Sequence, residues 1–493
     1  MDNSSPGMLS RNSALSYRGE RPPTPAELPV RQRWNVSAKI PVECLTEIFI
    51  CARDQSPQGT QSDTVIKLSR VCHVWRDITL NRPELWNVID VRVPRWISEC
   101  LARSKALPLM ITLFRVGLAS IEISTLLRSH LYRVTSLAFA PQLPQKVLVA
   151  LPSPETLWSS AAPSLESLNL SHFDLPNDLF QHGRPTLLHL ALERCKLPWS
   201  SPILSRSLEY LSIRDPHDPL TISRLFNILS GLPALEELIL IDVISTTTST
   251  AVGYQGTIPR RRVSCRFLDS IRITERSPEL LGLIFSGLHL PNVPFIRTET
   301  GSAVGCSRLV HTILASAHTF RIESFCLIAH PDSCHIILKS VACLRTITIS
   351  WDRPDCQLQI SKLYEDISLH RLSTLELDYV CPGSQLWSEW KVIAGSLPFL
   401  VRVVLGNGAA IDFFSSLPLR LSGFTRVVHW VFRMQEEMHG VKQPRRSQTD
   451  VGKLSAMFKS NKHRTVEFAG GWWALSPELK LTLEAAKWTV VEL

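Results

Sequence analysis

Apolar and polar positions along this 493-residue chain fall into two regimes. Over residues 40–86 the apolar positions recur at helical spacing. In Ile40-Pro41-Val42-Glu43-Cys44-Leu45-Thr46-Glu47-Ile48-Phe49, the residues Ile40, Leu45, Ile48 and Phe49 fall on one side of a helix. Proline stands in the first turn, where its missing N–H costs nothing. After a polar run over 54–64, Val65, Leu68, Cys72, Trp75 and Thr79 alternate spacings of 3 and 4, which predicts a second helix with one stripe. Pro83 stops it. The region therefore reads as two short amphipathic helices around a polar loop, closed by Pro83-Glu84-Leu85-Trp86.

Farther along, the period shortens to a recurring Leu-x-x-Leu-x-Leu, with other apolar residues allowed. It occurs at Leu165-Leu168-Leu170, Leu187-Leu190-Leu192, Leu208-Leu211-Ile213, Leu235-Leu238-Leu240 and Leu268-Ile271-Ile273. It continues at Leu290-Val293-Phe295, Ile322-Phe325-Leu327, Leu344-Ile347-Ile349, Leu372-Leu375-Leu377 and Leu400-Val403-Leu405, with Val134-Leu137-Phe139 an earlier candidate. The last two apolar positions of each copy alternate with polar ones, so each copy predicts a strand with one face in a core and one in solvent. Ala162-Pro163, Leu232-Pro233 and Leu397-Pro398 supply turns before several copies, and 221–229 and 278–285 are helical candidates between them. Units of this kind bury their apolar faces only against their neighbours, which predicts a parallel stack.

The first region resembles a known family. Ile40-Pro41-x-Glu43-x-Leu45-x-x-Ile48-Phe49, then Leu68-x-x-Val71-Cys72-x-x-Trp75-Arg76-Asp77-Ile78 and Pro83-x-Leu85-Trp86, resembles the F-box, in the version abundant in mushroom-forming fungi. Ile40 stands where leucine is usual, and Val42 where a second proline is usual. The resemblance implies a three-helix module that docks a Skp-type adaptor of a cullin ubiquitin ligase. Carried over, it implies Ile40, Pro41, Leu45, Ile48 and Phe49 at the adaptor contact, with Val71, Cys72 and Trp75 shared between that contact and the module's core. Trp75 could equally be core alone.

The later series resembles leucine-rich repeats, with intervals between starts of about 21 to about 33 residues. Cys195 stands where such repeats often place Asn or Cys, but Phe173, Pro216 and Val243 hold that position elsewhere. The expected fold class is thus α+β / α/β, a small helical F-box followed by an irregular leucine-rich-repeat-like solenoid with a parallel sheet. The expected organisation is a disordered tail over 1–37, the F-box over 38–92, the repeats over 93–410 and a capping region over 411–493. In the last of these the motif fades after Leu405 and 434–462 is polar. Ser476-Pro477-Glu478 after Trp472-Trp473 is a helix start, and 488–493 reads as a strand.

The solvent-facing strand positions define a surface. Aromatic and arginine side chains are the usual anchors of protein interfaces, so Tyr210, Arg214 and Arg272, with Ile239 and Ile241 beside them, are the candidate target-binding residues.

Composition narrows the chemistry. Net charge is +9, with basic residues at Arg260-Arg261-Arg262, at Lys442, Arg445 and Arg446, and at Lys459, Lys462 and Arg464. These short runs lack the interleaved aromatics that stack on bases, so no specific nucleic-acid partner is expected. No apolar run approaches the length that spans a membrane, so no membrane partner is expected either. The 12 cysteines form no Cys-x-x-Cys unit and point to a reducing compartment, cytoplasmic or nuclear. Cys326, His330, Cys334 and His335 are the nearest approach to a metal cluster, but they lie on an apparent strand with Pro331 beside them, and no metal or cofactor is expected. Nucleophile-elbow, zinc-protease, phosphate-loop and dinucleotide patterns are absent, and Gly406-Asn407-Gly408 reads as a turn. The expected function is that of a substrate-recognition subunit of a Skp–cullin–F-box ubiquitin ligase, not an enzyme itself, with an unidentified protein target on the repeat arm. The alternative is an interaction scaffold without ligase engagement.

Overall fold

The computed structural model describes residues 40–57, 59–90, 95–114, 126–140, 158–180, 183, 185–245, 262–302, 305–317, 320–329, 333–340, 344–352, 369–379, 390, 392–393, 396–406, 409–410, 427–433, 465–469 and 489–492. The tail over 1–37, the polar stretch 434–462, the helix start at Ser476, His330, Asn407 and Gly408 lie outside the described residues. So do all the basic positions named above except Arg262.

Three helices open the described chain: α1 (Val42–Asp54), α2 (Gln61–Leu68) and α3 (His73–Asn81). Pro41 is the N-cap of α1, one residue earlier than a first-turn proline. Leu45, Phe49 and Arg53, four residues apart, make its buried side. The stripe expected to form one second helix is shared between α2 and α3. The chain turns at 69–71, and Cys72 is extended (φ −156°, ψ 172°), its Sγ accepting the Trp75 N–H at 3.5 Å. A thiol cap satisfies one of the amides that a helix start leaves open, which permits the break. Pro83 then begins a 3₁₀ turn, Pro83–Leu85, that buries Leu85 and Trp86.

Polar ties fasten these helices to the start of the sheet. The Arg53 guanidinium donates to the Glu84 carbonyl and, at 3.0 Å, to Asn87 Oδ1. After β1 (Val88–Ile89), the Asp90 carboxylate accepts the Gln61 and Ser62 amides, both at 2.5 Å, and so caps α2 from outside. The Trp86 indole donates to the Thr79 carbonyl at 2.8 Å, and Arg103, on α4 (Arg95–Arg103), lies 4.6 Å above its ring.

The rest is dominated by one large, mostly parallel sheet, giving a mixed α and β fold with few helices. Its early strands are β2 (Leu109–Phe114), β3 (Val134–Ala140), β4 (Ser167–Ser171), β5 (His189–Glu193), β6 (Tyr210–Arg214), β7 (Glu237–Ile241), β9 (Ser270–Thr274) and β11 (Phe295–Thr300). From β1 to β11 each pairs in parallel with the next of this series. A two-residue strand, β8 (Val263–Ser264), pairs separately with β10 (Leu288–His289). The helices α5 (Ile222–Ser230) and α6 (Pro278–Ser286) form where expected. Each has a hydroxyl cap, Thr221 or Ser277, on its third amide. They are followed by α7 (Cys306–Ser316).

The order then reverses locally. Strands β12 (Ser324–Ala329), β13 (Ser333–Ser340) and β14 (Arg345–Asp352) form an antiparallel meander in which β14 joins β11 and β12 joins the next strand, β15 (Thr374–Tyr379). Copies predicted to stack in chain order are therefore swapped here, with antiparallel β13 between them. Parallel pairing resumes through β16 (Arg402–Gly406), β17 (His429–Arg433), β18 (Thr465–Ala469) and β19 (Thr489–Glu492). The sheet thus runs on past Leu405, where the motif fades. Its inward positions in β17 are Trp430 and Phe432, aromatic in place of leucine.

The inward residues of the motif are buried as expected in β3 to β9, Leu190 and Leu211 among them, with two exceptions farther on. In the copy at Leu290, the inward pair is Ile296 and Thr298, and Phe295 faces out; a fully buried threonine took the slot that the pattern reserved for an apolar side chain. Leu344 is 81% exposed with φ of 52°, at the turn between β13 and β14. One contiguous core runs from Leu45 and Phe49 in α1 to Phe432 in β17. Among the described residues no helix is long and apolar enough to cross a membrane.

The same hydrogen bonds recur at both ends of the strands. The residue after β4, β5, β6 and β7 (His172, Arg194, Asp215 and Asp242) has positive φ, and its amide donates to the last carbonyl of the neighbouring strand. At the strand starts, the carbonyls of Glu166, Leu188, Glu209 and Glu236 each accept two amides, that of the residue just before the next strand and that of its first residue. These bonds fix the register across β4 to β9, so outward side chains stand in straight rows.

Candidate interaction surfaces

Two surfaces gather the candidate residues. The first is on the helical unit. Leu45 and Phe49, expected at an adaptor contact, are instead interior, because their spacing of four puts them with Arg53 on the buried side of α1. Ile48 is 51% exposed and Val71, in the turn before α3, is 60% exposed. Pro41 and Cys72 are exposed, while Ile40 and Trp75 are half-buried against the core. The rings of Phe49 and Trp75 meet at 4.8 Å and join α1 to α3.

The exposed side of α1 carries its own apolar series, Pro41, Cys44, Ile48 and Cys51, beside half-buried Ile40. Cys44, Ile48 and Cys51 are four and three residues apart, a second helical stripe. Both cysteines escape notice in the sequence when Leu45 and Phe49 are assigned to this side. A helix with two opposed apolar stripes is the signal that separates them.

The second surface is the outward side of the sheet. Residues in register stand side by side. Tyr210 neighbours Glu237, Ser212 neighbours Ile239 and then Arg272, and Arg214 neighbours Ile241 and then Thr274. Tyr210, Ile239, Ile241 and Arg272 are half-buried and Arg214 is exposed, so register brings the five predicted target-binding residues onto adjacent strands. Arg272 is not a free cation. Its Nη2 donates to both oxygens of Glu299, at 3.1 and 3.2 Å, and Arg297 contacts the same carboxylate at 2.8 Å. These charges and the Thr274 hydroxyl hold the Glu299 carboxyl below its ordinary value against the opposing effect of burial, which is the largest single influence. Among the described residues Arg214 Nε reaches only the Ser212 hydroxyl, at 3.4 Å.

Farther along the same face, Arg433 on β17 reaches Glu376 on β15 at 2.6 Å, across β16. Beside it, a Cβ at Gly406 would stand 2.5 Å from Asp378 Cγ, so the bare backbone leaves room for the Asp378 carboxylate to lie over β16. His429 approaches Glu467 at 2.9 Å.

The suggested metal quartet does not assemble among the described residues. Cys326 and Cys334 occupy opposite faces, since Cys334 pairs with Ala329, an odd number of residues from Cys326. Burial and the adjacent Glu376 push the Cys326 thiol up to about 12. His335 Nδ1 lies 2.8 Å from the Ser350 hydroxyl and Nε2 lies 3.2 Å from that of Ser333. Among the described residues no three His, Cys, Asp or Glu side chains are placed to hold a metal ion. Cys195, at the repeat position that often holds Asn or Cys, is buried, with Sγ 3.4 Å from the Leu170 and Glu193 carbonyls.

One buried carboxylate went unnoticed in the sequence. Glu275, just after β9, is 2% exposed, and its Oε1 accepts the amides of Val243 and Ile244 at 2.9 and 3.0 Å. Burial pushes its pKa up to about 7 despite those amides. Comparison with known protein families and with curated proteins finds no match to this chain.

Proposed function

We propose that this chain is the substrate-recognition subunit of a Skp–cullin–F-box ubiquitin ligase. In this reading α1 to α3 are the F-box and the sheet is the edge of an irregular leucine-rich-repeat-like solenoid whose outward face receives a protein target. The observation that carries it is the uncovered apolar face of the helical unit, formed by Pro41, Cys44, Ile48 and Cys51, with Val71 and Cys72 also exposed in the turn before α3. Such a face gains free energy by docking against a partner's helices. Its place in the residue pattern that resembles the F-box supports a Skp-type adaptor as that partner, a role exercised in the cytoplasm or nucleus. The parallel strands with inward leucines and a Cys195 thiol on backbone carbonyls support the repeat assignment. The chain then performs no chemistry of its own and acts by holding a target near the ubiquitin-loaded enzyme.

The test is co-purification with the adaptor of wild type and of Ile48→Asp with Val71→Asp. Both substitutions are on exposed side chains, so the variant should fold and lose the adaptor. Capture of the adaptor by the double variant at the wild-type level refutes the docking face. Wild type that folds but captures no adaptor leaves the chain as an interaction scaffold without ligase engagement.

A further inference from the structure

Charges are treated differently along the strands. On and just past them several acids and bases are matched: Arg194 pairs with Asp215 at 2.9 Å just after β5 and β6, and Arg272 and Arg297 share Glu299 within β9 and β11. At the strand starts stands a row of acids. Glu166, Glu209, Glu236 and Asp269 immediately precede β4, β6, β7 and β9, with Leu188 in the corresponding place before β5 and Glu237 beside Glu236. Backbone bonds run directly from one to the next, Glu236 N to the Glu209 carbonyl at 2.7 Å and Asp269 N to the Glu236 carbonyl at 2.7 Å. The row is therefore straight and rises by about 4.8 Å per strand, or about 19 Å from Glu166 to Asp269. Among the described residues none of these five carboxylates has an ion-pair partner, in a chain whose net charge is +9. On the outward face of the same strands lie partly uncovered apolar side chains, Tyr210 directly after Glu209, and Ile239 and Ile241 three and five residues beyond Glu236.

We propose that this face docks an amphipathic helix of a partner protein, with Lys or Arg along one flank set against the acid row and apolar residues set on Tyr210, Ile239 and Ile241. Charge decides the sign of the partner, since unpaired carboxylates in a row repel acidic segments and nucleic acid and attract cations over a Debye length. Spacing decides its form. Residues three and four apart on a helix are about 5–6 Å from each other, close to the strand interval, so a helix lying across the strands presents one basic residue to each acid in turn. An extended segment, whose same-side residues repeat at about 6.6 Å, loses step with the row after two strands. The inference deepens the target-binding half of the proposed function and rests on it.

The test uses a fluorescent synthetic helix of Leu and Lys with the Lys on one flank, its Leu and Glu counterpart, and oligolysine, each titrated into the full chain by anisotropy. The Lys helix should bind, and bind less tightly as salt rises. The Glu helix should not bind. The triple change Glu209→Lys, Glu236→Lys and Asp269→Lys, at half-buried Glu209 and two exposed positions, should weaken the Lys helix by about tenfold or more, and Ile239→Ser should weaken it without changing the salt dependence. Equal binding of the Glu helix, an unaffected triple variant, or oligolysine binding as tightly as the Lys helix would each overturn the proposal. Adaptor capture by the same preparations separates the two readings. A chain that captures the adaptor but not the Lys helix fails here alone, and one that binds the helix but not the adaptor fails only in its ligase assignment.

Discussion

Glu275→Gln is a sharp probe of how the middle of the sheet is held. The wild-type carboxylate is 2% exposed, close to Asp242 and Arg276, and clasps two amides of the segment after β7. Burial is the largest influence on it and raises its pKa from 4.5 to about 7. A carboxyl whose folded pKa is raised stabilises the fold fully below its unfolded pKa, and that stability is lost as pH rises through the folded value. The window therefore opens near pH 4.5 and closes near pH 7, and the shift of about 2.5 is worth about 3 kcal/mol at about 1.36 kcal/mol per unit. Glutamine keeps an oxygen for the two amides and carries no charge. The variant should match wild type near pH 4.5 and exceed it by up to about 3 kcal/mol at pH 8, on the same scale. Urea unfolding of both proteins across this range measures the difference, and every other titrating group cancels from it. A difference flat with pH would show that the carboxyl titrates alike in the folded and unfolded chain, a variant less stable than wild type at pH 8 would show that the ionised carboxylate is stabilising, and either result would overturn the argument from burial.

Three further outcomes rest on burial. Leu211→Ala, in the fully buried row of β6, should cost roughly 2–5 kcal/mol in the same unfolding assay, and a loss under about 1 kcal/mol would contradict its place in the core. Leu45→Asp should destabilise the helical unit by placing an unpaired charge among Phe49 and its neighbours, whereas Ile48→Asp should leave the unfolding curve within about 0.5 kcal/mol of wild type; equal effects would contradict the division of α1 into a buried and an exposed side. Alkylation at pH 8 followed by peptide mass mapping should label Cys44, Cys51 and Cys72 well before Cys100, Cys195 and Cys265, because burial pushes the last three thiols up to about 12, 11 and 11; labelling in the reverse order would refute the assignment of exposed and buried sulfurs.

The strands are legible in the sequence because period-two alternation with leucine inward leaves little choice of face, and register across β4 to β9 comes from that face being buried. The departures have local reasons. Thr298 and Trp430 hold inward slots without resembling leucine, so the pattern puts one copy out of step and misses β17. The swap of β12 and β14 is a matter of which strand edge meets β11, and side-chain period carries no information about edge choice. In the helical unit the apolar pattern is rightly helical but points to the wrong side. Leu45 and Ile48 lie three residues apart and both are apolar, yet one is 2% exposed and the other 51%. A helix with apolar residues on both sides needs the position of its neighbours before its outer side can be named.

The position of those neighbours also bears on how the two surfaces relate. Asp90 caps α2, Arg53 holds the Glu84 carbonyl, and Trp86 sits between Thr79 and Arg103, so the Pro83-Glu84-Leu85-Trp86 closure acts as a clamp between the helices and the sheet. β1, which lies within the span assigned to the helical unit, is hydrogen-bonded into the sheet through β2, and the core passes from Leu45 to the strands without interruption. Buried charges of this kind are costly unless every bond is made, and Arg53 and Asp90 make theirs across the junction. A hinge there would have to break those bonds and expose Trp86 together. The helical face and the outward sheet face are therefore held by one continuous packed unit. Under the proposed function the chain acts as a rigid bracket, setting where the target stands relative to the ligase by its geometry.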